Sequence, residues 1–317
     1  MSVNAIPLEA DFDAAPGLLD GASNLELTPA VCHLDYWISA VAQGTLSGLV
    51  RGHSPNAHVP EYMKTDGPLR RALMMELAFR AIAEEKATRA ISYIVVTAPD
   101  VNTMEFFATQ MIDEARHARV FRGHLLELGV RENELFSTIN EIAGNDARII
   151  LEPLEEFAYP MMRDQRDYIA GVVVLTILVE GVLAPSAELS YRKWRLLDPA
   201  GAEIERGANI DEIRHLTVGS AAVREYLIAH PEEKPRVLDI IRCGRELWAS
   251  LPTAEVIMKR ELLFQEGMLQ HADVVRDYEI WPGRLLLETT PEERLITAHE
   301  WSMEMQNSRL QYMGLIP

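Results

Sequence analysis

MIDEARHARV (Met111–Val120) and NIDEIRHLTV (Asn209–Val218) write Asp-Glu-x-Arg-His twice, about a hundred residues apart. On a helix, side chains three positions apart share a face, so Glu114 and His117 can reach one ion. Glu212 and His215 repeat that geometry. A single Glu-x-x-His is common on solvated helix faces and says little. Two copies in the same five-residue frame, each inside a long helical pattern, point instead to a pair of metal ions held in a helical bundle.

The flanking sequence supplies the helices. Leu69 to Thr97 contains neither Gly nor Pro, and its apolar residues recur at three- and four-residue steps, which predicts a helix of roughly eight turns. Ala98-Pro99-Asp100 breaks it, and a second long helix is expected from about Val101 to Leu128, ended by Gly129. Shorter helices are expected over 131–163. A third long helix covers about 165–195 with a kink at Pro185, and a fourth covers about 200–229, stopped before Pro231. Upstream, Thr28 and Pro29 read as the N-cap and first position of an earlier helix, and NAHVPEYMKTDGP reads as a linker. Strand-like alternation is nearly absent. The expectation is an all-α fold, one domain over 1–317: an irregular arm at 1–26, a four-helix bundle at about 69–229, and further helices at about 232–312 with YEIWPGR as a turn.

A bundle carboxylate site for two ions needs one Glu from each of the other two long helices. The third helix carries LTILVEGVLAP, in which Glu180 is the one charged residue between Asp167 and Glu188. A carboxylate isolated in apolar surroundings is costly unless it is paired or ligates a metal. The first helix carries two candidates, Glu84 and Glu85. Steps of three and four join Leu73, Leu77, Ala81, Glu84, Thr88, Ile91 and Val95 into an inward stripe, whereas the stripe through Met74, Ala78, Glu85 and Ser92 is less apolar. Glu84 is therefore taken as the ligand and Glu85 as a surface or outer group. The set is then Glu84, Glu114, His117, Glu180, Glu212 and His215: hard oxygen and borderline nitrogen without thiolate, which suits iron or manganese better than structural zinc. A carboxylate is the usual partner for the free N–H of a metal-bound His. Asp113 is expected to serve His215, Asp211 to serve His117, and Arg116 and Arg214 to neutralise the two aspartates.

With these residues in place the chain resembles the ferritin-like, carboxylate-bridged di-iron oxygenases and oxidases. It is most similar to the bacterial multicomponent monooxygenase hydroxylases and the ribonucleotide reductase small subunit. The resemblance spans about 70–220, with Glu84, Glu114, Glu180 and Glu212 at intervals of 30, 66 and 32 residues. It implies two Fe ions, or a Mn/Fe pair, with dioxygen as co-substrate, and Glu114 and Glu212 as the bridging carboxylates. It also implies a substrate pocket between the first three long helices, for which Ala81, Thr88, Phe107, Met111, Phe121, Thr176, Leu183 and Ala184 are the candidates. Three positions depart from the relatives. Phe121 stands where the reductase subunit has its radical Tyr, and Ala184 stands where the hydroxylases have a Thr, with Thr176 one turn before Glu180. Residues 202–211 contain no His, the extra ligand of the arylamine N-oxygenases.

The implied activity is hydroxylation or another oxidation of a small organic molecule, free or carrier-bound, in secondary metabolism. The alternatives are an amine N-oxygenase, a ribonucleotide-reductase-like or Mn/Fe oxidase, and a non-catalytic ferritin-type metal-binding protein. No flavin, Rossmann or iron–sulfur motif is visible, so electrons are expected from a separate reductase or ferredoxin. A formal charge of −18 over 317 residues argues against nucleic-acid or anionic-membrane partners. Cys32 and Cys243 are too few for a disulfide framework, and with no basic, apolar leader at the start a cytoplasmic protein is expected; beside the larger, multi-subunit hydroxylases that it resembles, so compact a chain is expected to act as a homodimer. Apolar runs such as AGVVVLTILVEGVLAP are short and carry a Glu, so no membrane span is expected. His33, Tyr36 and Trp37 lie on a helix expected to pack against the bundle, and no partner is readable for His124.

Overall fold

A computed structural model describes residues 6–316. Four long helices build the centre: α3 (Pro68–Thr97), α4 (Val101–Glu127), a composite third helix running from Tyr168 to Trp194, and α8 (Pro199–Ala229). Their ends follow from local chemistry. Pro68 and Pro199 occupy the first turn of α3 and α8, where a missing N–H costs nothing. Asp100 accepts from the backbone N–H of Thr103 at 2.9 Å and so caps α4. Gly129, at φ +92°, turns the chain out of α4 in a conformation that suits glycine.

α5 (Leu135–Tyr159) lies against α3, and α9 (Lys234–Ser250), α10 (Thr253–Gln270) and α11 (Pro291–Tyr312) surround the third helix and α3. A two-stranded hairpin, β1 (Glu279–Trp281) with β2 (Arg284–Leu285), forms at YEIWPGR. The apolar core includes Phe106, Phe107 and Phe121 on α4, none with measurable exposure. Each contributes on the order of 1.5–3 kcal/mol by leaving water.

Several elements differ from the sequence reading. The segment expected to hold short helices is largely the single 25-residue α5, which tolerates Pro153 inside it, followed by a π-helical turn at Pro160–Asp164. The third helix is irregular ahead of Pro185 rather than at it. It consists of α6 (Tyr168–Val173), a π-helical stretch Val174–Glu180, and α7 (Gly181–Trp194), with Pro185 inside α7. The N-terminal arm is partly regular, with a short turn at Leu8–Ala10 and α1 (Leu18–Asn24). Thr28 and Pro29 do not start a helix. α2 (Leu34–Tyr36) begins instead with His33 as its cap and continues as a π-helical segment, Trp37–Thr45. The run Tyr168–Trp194 is long and apolar enough to cross a membrane, but 78% of its most hydropathic window is buried here. Its apolarity is that of a core helix.

Two glycines set how closely the helices approach that run. A Cβ at Gly219 of α8 would overlap the Thr176 hydroxyl, and one at Gly244 of α9 would overlap the Leu178 side chain. Any larger residue would hold α8 or α9 away from the π-helical stretch.

Candidate metal centre

Four helices deliver six side chains to one buried point. Glu84 comes from α3, Glu114 and His117 from α4, Glu180 from the last position of the π-helical stretch, and Glu212 and His215 from α8. Glu114 is the hub. Its Oε2 is 3.2 Å from Nδ1 of His117 and its Oε1 is 3.2 Å from Nδ1 of His215. Glu84 stands 4.0 Å from His117 Nδ1, while Glu180 and Glu212 stand 3.8 Å and 4.0 Å from His215 Nδ1. Two groups, Glu84–Glu114–His117 and Glu114–Glu180–His215, each bring their donor atoms within 4.8 Å of one another and share Glu114. The imidazole centroids are 6.5 Å apart.

Both imidazoles turn Nδ1 toward the carboxylates because Nε2 is engaged outward. His117 Nε2 is 3.1 Å from Asp211 Oδ2, and His215 Nε2 is 3.4 Å from Asp113 Oδ2. Each aspartate sits on the helix opposite its histidine. Nε2 as the protonated nitrogen leaves the Nδ1 lone pair facing inward, the form in which His ligates a metal. Arg214 joins the two sides: its Nη2 donates to Asp113 at 2.6 Å and to Asp211 at 2.9 Å. Arg116 donates to Asp211 as well.

Electrostatics show what the cluster demands. Burial first, then the neighbouring Glu114 charge, holds Glu84 well above the usual carboxylate range. Burial and Glu212 do the same to Glu180, and burial with Glu114 brings Glu212 to about 7. Burial also works against Glu114, but the imidazoles of His117 and His215 on either side of it overcome that effect and hold its pKa well below normal. Burial opposes charge on His117 too, yet bonds to Asp211 and Glu114 raise it to about 9. Four carboxylates are thus crowded where water cannot screen them. Glu114 Oε1, Glu180 Oε2, Glu212 Oε2 and His215 Nδ1 are buried without a hydrogen-bond partner. Orphaned acceptors converging on one point in an interior fit a cationic group, and the O/N donor set fits iron or manganese.

Glu85, the alternative on the first helix, faces solvent and pairs with Arg89 at 2.7 Å. The cavity beside the cluster is lined differently from the expected pocket. A cavity of about 180 Å³ adjoins Glu84, Glu114, Glu180 and Glu212, but it lies between α3, α5 and the third helix, with Trp248 and Val256 also lining it. Of the eight pocket candidates, Leu183 and Ala184 line it. Phe107 and Phe121 are sealed in the core, Ala81, Met111 and Thr176 pack there or beside it, and Thr88 donates to the Glu84 carbonyl at 2.7 Å. The reason is steric. Large aromatics on α4 fill the space on its side, whereas α3 and α5 present Ala83, Ala87, Ala90 and Ala158.

Some contributors were not read from the sequence. Gln110 donates to Glu180. It stands one turn before Glu114, a spacing that marks it as same-face. Trp37 Nε1 donates to Asp113 at 3.0 Å, and Glu9, fully buried, accepts from Arg214 and from the Tyr36 hydroxyl. No periodicity links these residues to the bundle. His124 does have partners, Asp198 at 2.7 Å and Glu127 at 3.1 Å, a buried ion-pair network apart from the cluster.

An antiparallel bundle converging acidic and imidazole groups in this order defines the ferritin-like all-α class. No family profile matches the chain, and no curated protein matches it in sequence. Solved structures share its fold almost end to end. R2-like ligand-binding oxidase with an aerobically reconstituted metal cofactor after photoconversion superposes with a TM-score of 0.52 at 19% identity, over 96% of this chain and 94% of that one. The same oxidase with an aerobically reconstituted Mn/Fe cofactor gives 0.53 at 18% identity, over 96% and 94%. A glycine-to-leucine variant with an Fe/Fe cofactor gives 0.53 at 17% identity, over 94% of each chain. The chain therefore has the ferritin-like fold of these oxidases.

Proposed function

We propose that the chain is a metal-dependent oxidase or oxygenase that binds two ions, Fe/Fe or Mn/Fe, and oxidises a small apolar organic molecule with dioxygen. The observation that carries the reading is the pair of interlocking carboxylate–histidine groups sharing Glu114 beside an apolar cavity. The metal-dependent oxidases that share the fold add support. Glu84, Glu114 and His117 would hold one ion, and Glu180, Glu212 and His215 the other, with Glu114 positioned between them. When bound, a redox-active pair supplies the electrons that reduce dioxygen and the oxidising power turned on the substrate.

The protein's own part is binding, orientation and dryness. Asp113 and Asp211 fix the imidazoles, and Gln110 fixes one oxygen of Glu180. The cavity's lining is apolar along Leu151, Leu154, Val174, Leu175, Val179 and Leu183, which selects a hydrocarbon-rich substrate and excludes water from the reacting end. Electrons would come from a separate reductase or ferredoxin. A second reading, a Mn/Fe oxidase related to the ribonucleotide reductase small subunit, draws weight from the Mn/Fe cofactor of the oxidase sharing the fold. Phe121, 6.5 Å from His117 between ring centroids, offers no phenol for a stored radical.

The test is metal content by elemental analysis, then dioxygen uptake by the reduced, loaded protein with and without apolar candidate substrates. About two ions per chain and substrate-stimulated uptake are expected. One ion or none, or many ions per chain without dioxygen consumption, would overturn the reading.

A further inference from the structure

The cavity beside the cluster holds one cation that the protein itself leaves unmatched. α10 lines the cavity with Thr253, Val256, Ile257 and Arg260, a spacing that puts all four on one helical face. Val256 and Ile257 continue the apolar wall, and Arg260 interrupts it. Arg260 is half-buried, and among the described residues its guanidinium makes no hydrogen bond or ion pair. Its Nε is buried without a partner. Its field reaches Glu76, but that carboxylate is engaged by Lys193 at 3.5 Å and by Trp194 Nε1 at 3.4 Å.

The other charges on the cavity wall are answered. Arg80 pairs with Glu205 at 2.6 Å, and Lys86 pairs with Glu155 at 2.5 Å. Glu84, Glu114, Glu180 and Glu212 are the carboxylates that two divalent ions would neutralise. Arg260 remains as a fixed positive charge against an apolar space, and a buried donor without an acceptor is costly. An anion carried by the substrate would complete it. One guanidinium matches one carboxylate, which accepts two parallel N–H bonds in its plane. A phosphate dianion would call for a second free cation, and there is none among the described lining residues.

The helices also set the reach. α10 runs antiparallel to α3, since Val256 shares an apolar cluster with Phe79, Ile82 and Ala83 while Gly267 abuts Leu69. Arg260 therefore stands nearly level with Glu76, eight residues or about 12 Å along α3 from Glu84. A carboxylate held there stays off the ions and turns the far end of an apolar body toward them.

Resting on the oxidase reading, we propose that Arg260 binds the carboxylate of a substrate with an apolar body and one anionic end, so that oxidation falls remote from that carboxylate. Calorimetric titration of the metal-loaded chain with phenylbutyrate, phenylbutanol and phenylbutyl phosphate tests it. Phenylbutyrate should bind at least about tenfold more tightly than the alcohol, the usual gain of a hydrogen bond between charged groups. Arg260→Gln should erase that preference and Arg260→Lys should keep most of it. Both variants should retain two ions per chain by elemental analysis and a native near-UV circular dichroism spectrum, because Arg260 bonds to no other residue. Equal binding of acid and alcohol, no binding of the acid, or a preference for the acid that survives Arg260→Gln would overturn the proposal; the last would place the carboxylate on the ions. Loss of an ion in Arg260→Gln would also overturn it, as would tighter binding of the phosphate than of the carboxylate. None of these readouts needs turnover, so absent dioxygen uptake would remove the oxidase reading while the titrations still decide the carboxylate site.

Discussion

Asp113 lies on α4 and His215 on α8, yet Oδ2 of the aspartate is 3.4 Å from Nε2 of the imidazole. The mirrored pair, Asp211 with His117, is separated by 3.1 Å. Each Asp-Glu-x-Arg-His copy therefore supplies inward donors from its own helix and the support for the histidine of the other. The duplication has a physical use: neither copy is complete alone.

Asp113→Asn should weaken binding of the ion on the His215 side roughly 10–100-fold, the usual cost of losing a support for a ligating His. Competition with a chromophoric chelator would measure it. Affinity equal to the native protein's would show that Asp113 does not orient the imidazole.

The two glutamates at the middle of α3 should separate cleanly. Glu84→Ala is expected to remove at least one ion per chain. Glu85→Ala, which breaks a half-exposed pair with Arg89, should leave the count at two and change stability by less than about 1 kcal/mol. Glu180→Ala should lose the second ion. Elemental analysis decides all three, and metal loss in Glu85→Ala alone would reassign the helix register.

Without metal, stability should fall as pH rises. Glu212 has a folded pKa of about 7, raised by burial and Glu114, so the folded state holds a proton that the unfolded chain has released. That contribution is complete below the ordinary Glu range and is lost as pH climbs to about 7. His117, raised to about 9 by Asp211 and Glu114 against the pull of burial, behaves alike from the ordinary His range up to about 9. Both terms have the same sign between about pH 5 and 9. Thermal melting of the metal-free protein should drop across that range, and loading with Fe(II) or Mn(II) should flatten the slope, because bound ligands are already deprotonated. A rising or level metal-free curve contradicts the assignment.

The arm should matter more than its position in the chain suggests. Glu9 is fully buried against Arg214, the guanidinium that joins both aspartates. Glu9→Ala would strand part of a buried charge and is expected to cost on the order of 3–5 kcal/mol, read by chemical denaturation. Glu9→Gln, which keeps an acceptor, should cost less.

Substrate access should be separable from metal binding. Ala87 lines the cavity one turn beyond Glu84. Ala87→Phe should fill much of the space, abolish stimulation of dioxygen uptake by apolar substrates, and leave the metal count unchanged.

The all-α bundle, its four long helices and the six convergent residues were legible because each rests on local signals: uninterrupted 3.6-residue periodicity, Gly129 and Pro231 as stops, and Glu-x-x-His on one face. Glu84 could be separated from Glu85 because apolar neighbours mark the inward row. What was not legible depends on long-range packing. The cavity's side is decided by Phe106, Phe107 and Phe121 filling the α4 side and alanines leaving room on the other. Trp37 and Glu9 reach Asp113 and Arg214 across gaps of 76 and 205 residues, which no periodicity reports. The π-helical stretch was missed because Pro185 was the more obvious irregularity, whereas a wide turn carries no residue signature of its own.

Val174–Glu180 is wound more loosely than an α-helix, and a wide turn of this kind accommodates an extra residue relative to α-helical winding. Deleting one amino acid within it would let the segment tighten to α-helical winding, in which six residues at about 100° each turn nearly as far as seven in the wide turn, so Glu180 would keep nearly the same face relative to Ile169. The chain therefore carries one residue of slack at this point. Isosteric swaps among its aliphatic members should be tolerated, and a one-codon deletion within the seven should cost the centre far less than mutating the glutamate.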